Sequence, residues 1–267
     1  MMPLRSFFVS LAALVLFGTA QSGLADTQSA TASTVSISGA VLQPGSYQWR
    51  SDARLHDATM AGQVRADAWF LGAALLRESA IEPQQRLKAG VLFDLRVNRL
   101  HARTTDNSPL LELAERLEGL VAPLPVTGRV SAELNPFQLL IAENNQLLEP
   151  GDQLIYPTRP AQIRVLGAVN EACELTFDAA LALKDYLRQC PAHPVADRSF
   201  VYVIQPDGEV SQVGIAHWNE QQVNMAVGAL IYRPLSPSIT SPETAGLNQD
   251  MAALLATQYQ LGGHFSE

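Results

Sequence analysis

Two short patterns of alternating apolar residues each occur twice along this chain. Val35-Ser-Ile-Ser-Gly-Ala-Val41 and Ile163-Arg-Val-Leu-Gly-Ala-Val169 set β-branched residues two apart and end in Gly-Ala-Val. That spacing suits a half-buried strand that bends or bulges at its glycine. A closing strand recurs as well. Residues 153–156, followed by Pro157 and Pro160, resemble Ala229-Leu-Ile-Tyr-Arg-Pro-Leu235, and the prolines stop a ladder because they lack an N–H. An opening and a closing strand, each present twice, predict two copies of one small β-rich unit.

Between these strands the first copy starts with a type II turn at Pro44-Gly45 and a return strand over 46–49. A short helix over 55–61 and a buried strand over 69–76 follow. From Glu82 the apolar period becomes helical through Leu87, Val91 and Leu95. A second helix opens at Ser108-Pro109, with a capping residue and a first-turn proline, and runs over 110–120. The copy spanning 35–160 has 126 residues and that spanning 163–236 has 74. The excess is close to the helical block at about 82–122, which reads as an insertion. Strands are expected again over 126–130 and 137–142.

The second copy is shorter. Thr176 is a candidate cap for a helix over 177–188, and strands over 200–204 and 210–215 flank the turn Gln205-Pro-Asp-Gly208. After the Pro-rich stretch 236–242, a helix over about 247–260 carries Leu247, Met251, Leu254 and Leu255 as an apolar stripe. Strand, strand, helix and further strands make an α+β chain of two tandem β-grasp domains, at 35–160 and 161–236. A linker and amphipathic helix occupy 237–267. The stripe is expected either to cover a sheet or to act as a docking helix.

The first 25 residues stand apart. Arg5 is followed by an 11-residue apolar run and Gly23-Leu24-Ala25, the pattern of a secretory signal cleaved after Ala25. No cysteine near that point offers a lipid anchor, and 26–34 is a polar linker. Cleavage would move the formal charge from -8 to -9. Such a balance is unsuited to nucleic acid or anionic lipid, and no later run is long enough for a membrane span. Cys173 and Cys190 are the two cysteines. In an oxidising compartment a disulfide is their simplest use; a redox or metal site, the alternative, would lack both a C-x-x-C and a histidine at ligand spacing.

Catalytic signatures are sparse. No G-x-S-x-G, P-loop, G-x-G-x-x-G or H-E-x-x-H occurs, and the five histidines include no i, i+4 pair. No metal or cofactor is expected. Glu112 lies four before Arg116, the spacing of a surface ion pair; Asp94 and Asp178 are expected on helices among solvated neighbours. Two arginines are more informative. Arg129, in Thr127-Gly-Arg-Val130, and Arg77, after the apolar run 69–76, emerge from core strands. Such a guanidinium either pairs with an acid or lines a cavity for an anion or sugar hydroxyls. For Arg129 the cavity is expected between the first β unit and the helical insertion. Trp49, Trp69, Trp218 and Tyr47 are candidate sugar-stacking rings, though strand aromatics usually serve the core.

V-x-I-x-G-A-V-x-x-P-G-x-Y at 35–47 and L-x-P-G-D-x-L-x-x-P at 148–157 resemble the soluble-ligand-binding β-grasp (SLBB) module of outer-membrane polysaccharide exporters. The order of strand, helical insertion, T-G-R, Y-V-I-Q-P-D-G, H-W-N and terminal helix resembles the GfcC/YjbG capsule and exopolysaccharide biosynthesis family over most of 35–260. The second copy departs from the module, with Asn170-Glu-Ala-Cys173 where Pro-Gly is expected. The resemblance implies a periplasmic, non-enzymatic accessory of polysaccharide secretion, whose partners are polysaccharide or outer-membrane export proteins. It places Arg129 at the family's T-G-R position. A polysaccharide-modifying enzyme is the alternative.

Overall fold

The computed structural model describes residues 33–259; the expected signal peptide and most of the polar linker lie outside them. Val35 and Ile37 are buried between more exposed serines in strand β1 (Thr34–Gly39). It pairs antiparallel with β2 (Gly45–Gln48) and parallel with β5 (Gln153–Tyr156). Beyond β5 lie β3 (Ala74–Leu76) and β4 (Arg129–Val130), so the five strands run in the order β2-β1-β5-β3-β4. The second sheet contains β6 (Gln162–Gly167), β7 (Cys173–Thr176), β8 (Phe200–Ile204), β9 (Val210–Gly214) and β10 (Leu230–Arg233), in the order β7-β6-β10-β8-β9. Counting each strand from the start of its own sheet, the two orders are the same, and in both the first and last strands are parallel neighbours.

The duplication extends to individual atoms. Gly39 has φ +89° and Gly167 has φ +102°. A Cβ on the first would lie 2.0 Å from the Tyr156 carbonyl oxygen, and on the second 2.2 Å from that of Arg233. Only glycine combines that backbone with so close an approach. The next amides, Ala40 and Ala168, donate to those same two oxygens at 2.6 and 2.7 Å. The closing strands, however, are related with a one-residue offset. Gly39 faces Tyr156 and Gly167 faces Arg233, so the counterpart of Tyr156 is Arg233, not Tyr232. A slip of one residue exchanges sheet faces: Tyr156 joins the first core and Tyr232 a different one.

Among the described residues five α-helices complete the fold: α1 (Leu55–Gly62), α2 (Ile81–Thr104), α3 (Ser108–Val121), α4 (Leu183–Gln189) and α5 (Leu247–Ala256). Helix α1 packs on one face of the first sheet through Leu55 and Ala58, beside Ile37, Leu75 and Leu154. Helix α4 covers the matching face of the second sheet, with Leu183, Tyr186 and Leu187 against Val165, Val203 and Ile231. The opposite faces differ. In the first sheet this face carries Ser36, Ser38 and Gln153; in the second, Leu166, Leu230 and Tyr232. The inserted helices α2 and α3, with α5, pack on that second apolar face through Val91, Leu95, Leu113, Leu117, Met251 and Leu254. The insertion in the first module thus roofs the second.

Several expected elements are corrected. Gly45 sits in β2 opposite Ile37 rather than at the corner of a type II turn. The apolar run 137–142 is no strand: Gln138–Leu140 forms a 3-10 turn, and Phe137, Leu140 and Ile141 are exposed. The helix expected over 177–188 begins only at Leu183, because 177–182 is a turn whose Asp178 backbone is tied to the Tyr186 hydroxyl at 2.8 and 2.9 Å. Asn107, not Ser108, caps α3, its Oδ1 accepting from the Leu110 amide at 3.1 Å. Arg116 does not pair with Glu112; its guanidinium donates to the Val169 and Asn170 carbonyls of the second module. Asp178 lies in a loop, accepting from the Ala180 amide.

Cys173 and Cys190 form a disulfide, with Cα atoms 6.1 Å apart. It ties the start of β7 to the C-terminal end of α4. Closing a loop of this length contributes about 3 kcal/mol in the chain-entropy model. The Cys173→Ser, Cys190→Ser double variant should lose about that much stability in urea denaturation under non-reducing conditions. A change below ~1 kcal/mol would show that the reduced chain is already constrained there.

Candidate functional site

The three residues of Thr127-Gly-Arg129 each hold a different part of the molecule. The Thr127 hydroxyl donates to the Thr257 carbonyl at 2.7 Å, just past α5. Gly128, at φ +73°, donates to the Gln84 side chain of α2 at 2.8 Å, and the Gln84 amide returns a bond to the Arg129 carbonyl. The Arg129 guanidinium is buried and donates to three backbone carbonyls: Ala73 of the first module, Pro206 in the β8–β9 turn, and Ala256 of α5. Among the described residues no carboxylate is hydrogen-bonded to it. Burial pushes this guanidinium down to about 10, with Asp207 opposing the shift, so it stays charged at neutral pH.

This placement differs from the expected one. Arg129 points into the junction of both modules and α5, not towards the insertion. The cavity beside it, between Trp69, Pro157, Gln205 and Leu255, holds about 20 Å³, room for a water and not for a sugar ring. Arg129 therefore joins the modules.

Next to that joint lies a groove of about 720 Å³, a size common for ligand sites. One wall is the 3-10 turn Phe70–Gly72 and segment 131–138; the other is the β8–β9 turn with Asp207, Gly208 and Glu209. Segment 131–138 is held by local bonds: Glu133 accepts from the Asn135 amide at 2.7 Å, and Asn135 from the Phe137 amide at 3.0 Å. Buried Tyr156 donates its hydroxyl to the Leu134 carbonyl at 2.9 Å. Phe70 meets both Phe137 and Tyr156 edge-to-face at 6.5 Å. Exposed Leu71 lines the groove, and Phe137, Leu140 and Ile141 are exposed in the chain segment around its Gln138 wall. Carboxylates and amides inside, with apolar side chains at the edge, can accept hydroxyl hydrogen bonds and bury one apolar face of a ligand or partner.

The other sequence-selected residues fall elsewhere. Arg77 makes a two-pronged ion pair with buried Asp152, at 3.0 and 2.8 Å, and a further contact with Glu149 at 3.1 Å. It is held by acids rather than offered to a ligand. Leu247, Met251, Leu254 and Leu255 are all buried beneath α2 and the second sheet, so the expected docking stripe faces inward. Trp49 donates to the Leu148 carbonyl at 2.9 Å, Tyr47 is bonded to the Gln43 and Ala61 carbonyls, and Trp69 lies under the Arg159 guanidinium. Trp218 is 74% exposed and meets Phe200 edge-to-face. Among the described residues no group of three His, Cys, Asp or Glu side chains could hold a metal ion, and no helix is long and apolar enough to cross a membrane. Among the groove's acids, Asp207 belongs to the Y-V-I-Q-P-D-G piece, read only as a turn, while Glu133 and Glu209 carried no signal of a site. Asp94 of α2 is held above the ordinary carboxylate range by burial and by Asp250 of α5.

Fold and groove together define a duplicated α+β protein whose modules are joined by a buried arginine. Residues 171–259 match the family described as Capsule biosynthesis GfcC C-terminal. Over 202 residues, 75% of this chain and 81% of the other, the sequence is 27% identical to the protein described as Uncharacterized protein YjbG of Escherichia coli (strain K12). The two matches support the GfcC/YjbG capsule biosynthesis family for this chain.

Proposed function

We propose that the chain is a periplasmic, non-enzymatic accessory of capsule or exopolysaccharide assembly and export. In this reading both modules are β-grasp units of the SLBB kind, and the junction groove engages polysaccharide or the export machinery. The supporting observation is the groove itself, lined by Glu133, Asn135, Asp207 and exposed Leu71, with Phe137 and Leu140 exposed in the chain segment around its Gln138 wall. Exposed apolar side chains grouped beside a groove mark a contact surface more often than chance scatter does. The disulfide fits an oxidising compartment, and the family match supports a role in capsule assembly.

The test is a rim variant, Phe137→Ala with Leu140→Ser. Both side chains are about seven-tenths exposed, so stability should change by less than ~0.5 kcal/mol, while surface polysaccharide in a complemented producing cell should fall several-fold. Normal polysaccharide output from this variant would remove the groove from the reading. Shortening of purified polysaccharide by the protein would favour a modifying enzyme instead.

A further inference from the structure

A second opening lies in the second module, on the α4 face of its sheet, and shares no lining residue with the junction groove. It is a cleft of about 500 Å³ between α4 and the segment 214–224, with Arg233 among its lining residues. Arg233 ends β10 on the face that Ile231 presents to α4. Its Nε is buried and has no hydrogen-bond partner. The other cations of the cleft are matched: Lys184 contacts Glu220 at 3.3 Å, and Arg188 pairs with Asp185. Burial pushes the Arg233 guanidinium down, with Asp197 opposing.

A buried guanidinium donor without an acceptor is costly. Arg233 lines the cleft, so an oxyanion bound there would meet its guanidinium. The lining residues Lys184, Arg188 and Arg233 outnumber the single acid, Glu220, although the whole chain carries -8. The walls are fixed. Gln221 exchanges bonds with Gly214, its amide donating to the carbonyl and its Oε1 accepting from the amide, both at 3.0 Å. The Asn224 carbonyl accepts from Gln205 at 2.8 Å. Gln222 and Asn224 add amide groups at the cleft, suited to sugar hydroxyls.

We infer that this cleft binds the carboxylate of an acidic sugar, a uronic acid residue, with Arg233 as its anion-recognising group. A planar guanidinium matches a carboxylate through two parallel hydrogen bonds, and one guanidinium whose charge Asp197 offsets only from a distance suits a singly charged ligand better than a phosphate dianion. The site is separate from the junction groove and stands whether or not that groove binds anything.

The test titrates the full protein with D-glucuronate, D-glucose and inorganic phosphate, followed by calorimetry or amide chemical shifts. Saturable 1:1 binding of glucuronate is expected, with glucose and phosphate at least tenfold weaker. Arg233→Gln should weaken glucuronate at least tenfold without lowering the melting temperature, since it removes a charge that Asp197 offsets only from a distance. Gln222→Glu, which leaves Arg233 in place, should weaken it through repulsion. The Phe137→Ala rim variant should bind glucuronate normally, which separates this site from the groove. Absence of glucuronate binding, equal binding of glucose, tighter binding of phosphate, or full affinity in Gln222→Glu would each overturn the assignment. An Arg233→Gln chain that unfolds would overturn it too, by making Arg233 a structural residue.

Discussion

Deleting residues 247–259 should leave a chain that does not fold cooperatively. Leu247, Met251, Leu254 and Leu255 are each no more than 1% exposed. Burying a side chain of this kind contributes about 1.5–3 kcal/mol, so four contribute about 6–12, comparable with the ~5–15 kcal/mol stability of a whole domain. The deletion would also strip the roof from Val91, Leu95, Leu230 and Tyr232. Polar ties go with it: Asn248 bonds both the amide and the carbonyl of Leu235, at 3.0 and 2.8 Å. A gentler probe is Leu254→Ala, expected to cost about 2–5 kcal/mol in a single urea transition. A deleted chain with native circular dichroism and a sharp melt would show that α5 is an appendage after all.

Asp152→Ala should be the most damaging single change to the first module, at about 3–5 kcal/mol. The Asp152 side chain is 0% exposed and meets Arg77, itself only 15% exposed. The same carboxylate accepts the Glu149 amide at 2.8 Å, which closes the Pro150-Gly151 turn. Alanine would leave the turn amide unmatched and the largely buried guanidinium with only Glu149 and the Leu147 carbonyl as partners. The double variant Arg77→Met, Asp152→Leu should recover much of the loss, because it removes both charges together. Urea denaturation of the two single variants and the pair would give the coupling directly. Additive losses would show that Glu149 and water together satisfy Arg77 without Asp152.

The repeat was legible because its signals are local. The glycines at 39 and 167 are dictated by their own backbone and by a carbonyl at van der Waals limit, and α2 by its own spacing of Val91 and Leu95. The matched Leu-Ile-Tyr of the closing strands misled by one residue, since letters do not show register. The run 137–142 looked like a strand because apolar composition does not say whether a segment finds a sheet edge. Which sheet α2 and α3 cover was not legible either; it depends on Leu166, Leu230 and Tyr232 standing where the first copy has Ser38, Gln153 and Ile155. Arg129 stood out in the sequence, but its partners are the carbonyls of Ala73, Pro206 and Ala256. Backbone acceptors leave no trace in residue type, so its location could not be read.

The shared roof has a kinetic side. Asn98 of α2 bonds Thr244 across 146 residues of chain, and α2 also meets α5 directly. Contacts this distant in sequence must wait for the slow search that brings their ends together. A chain that emerges N-terminus first can complete β1, β2 and α1 early, yet α2 and α3 keep an apolar flank bare until residue 256 has arrived. Through that interval the half-made protein is exposed to aggregation, and anything that holds the nascent helices apart would raise its yield more than any gain in final stability.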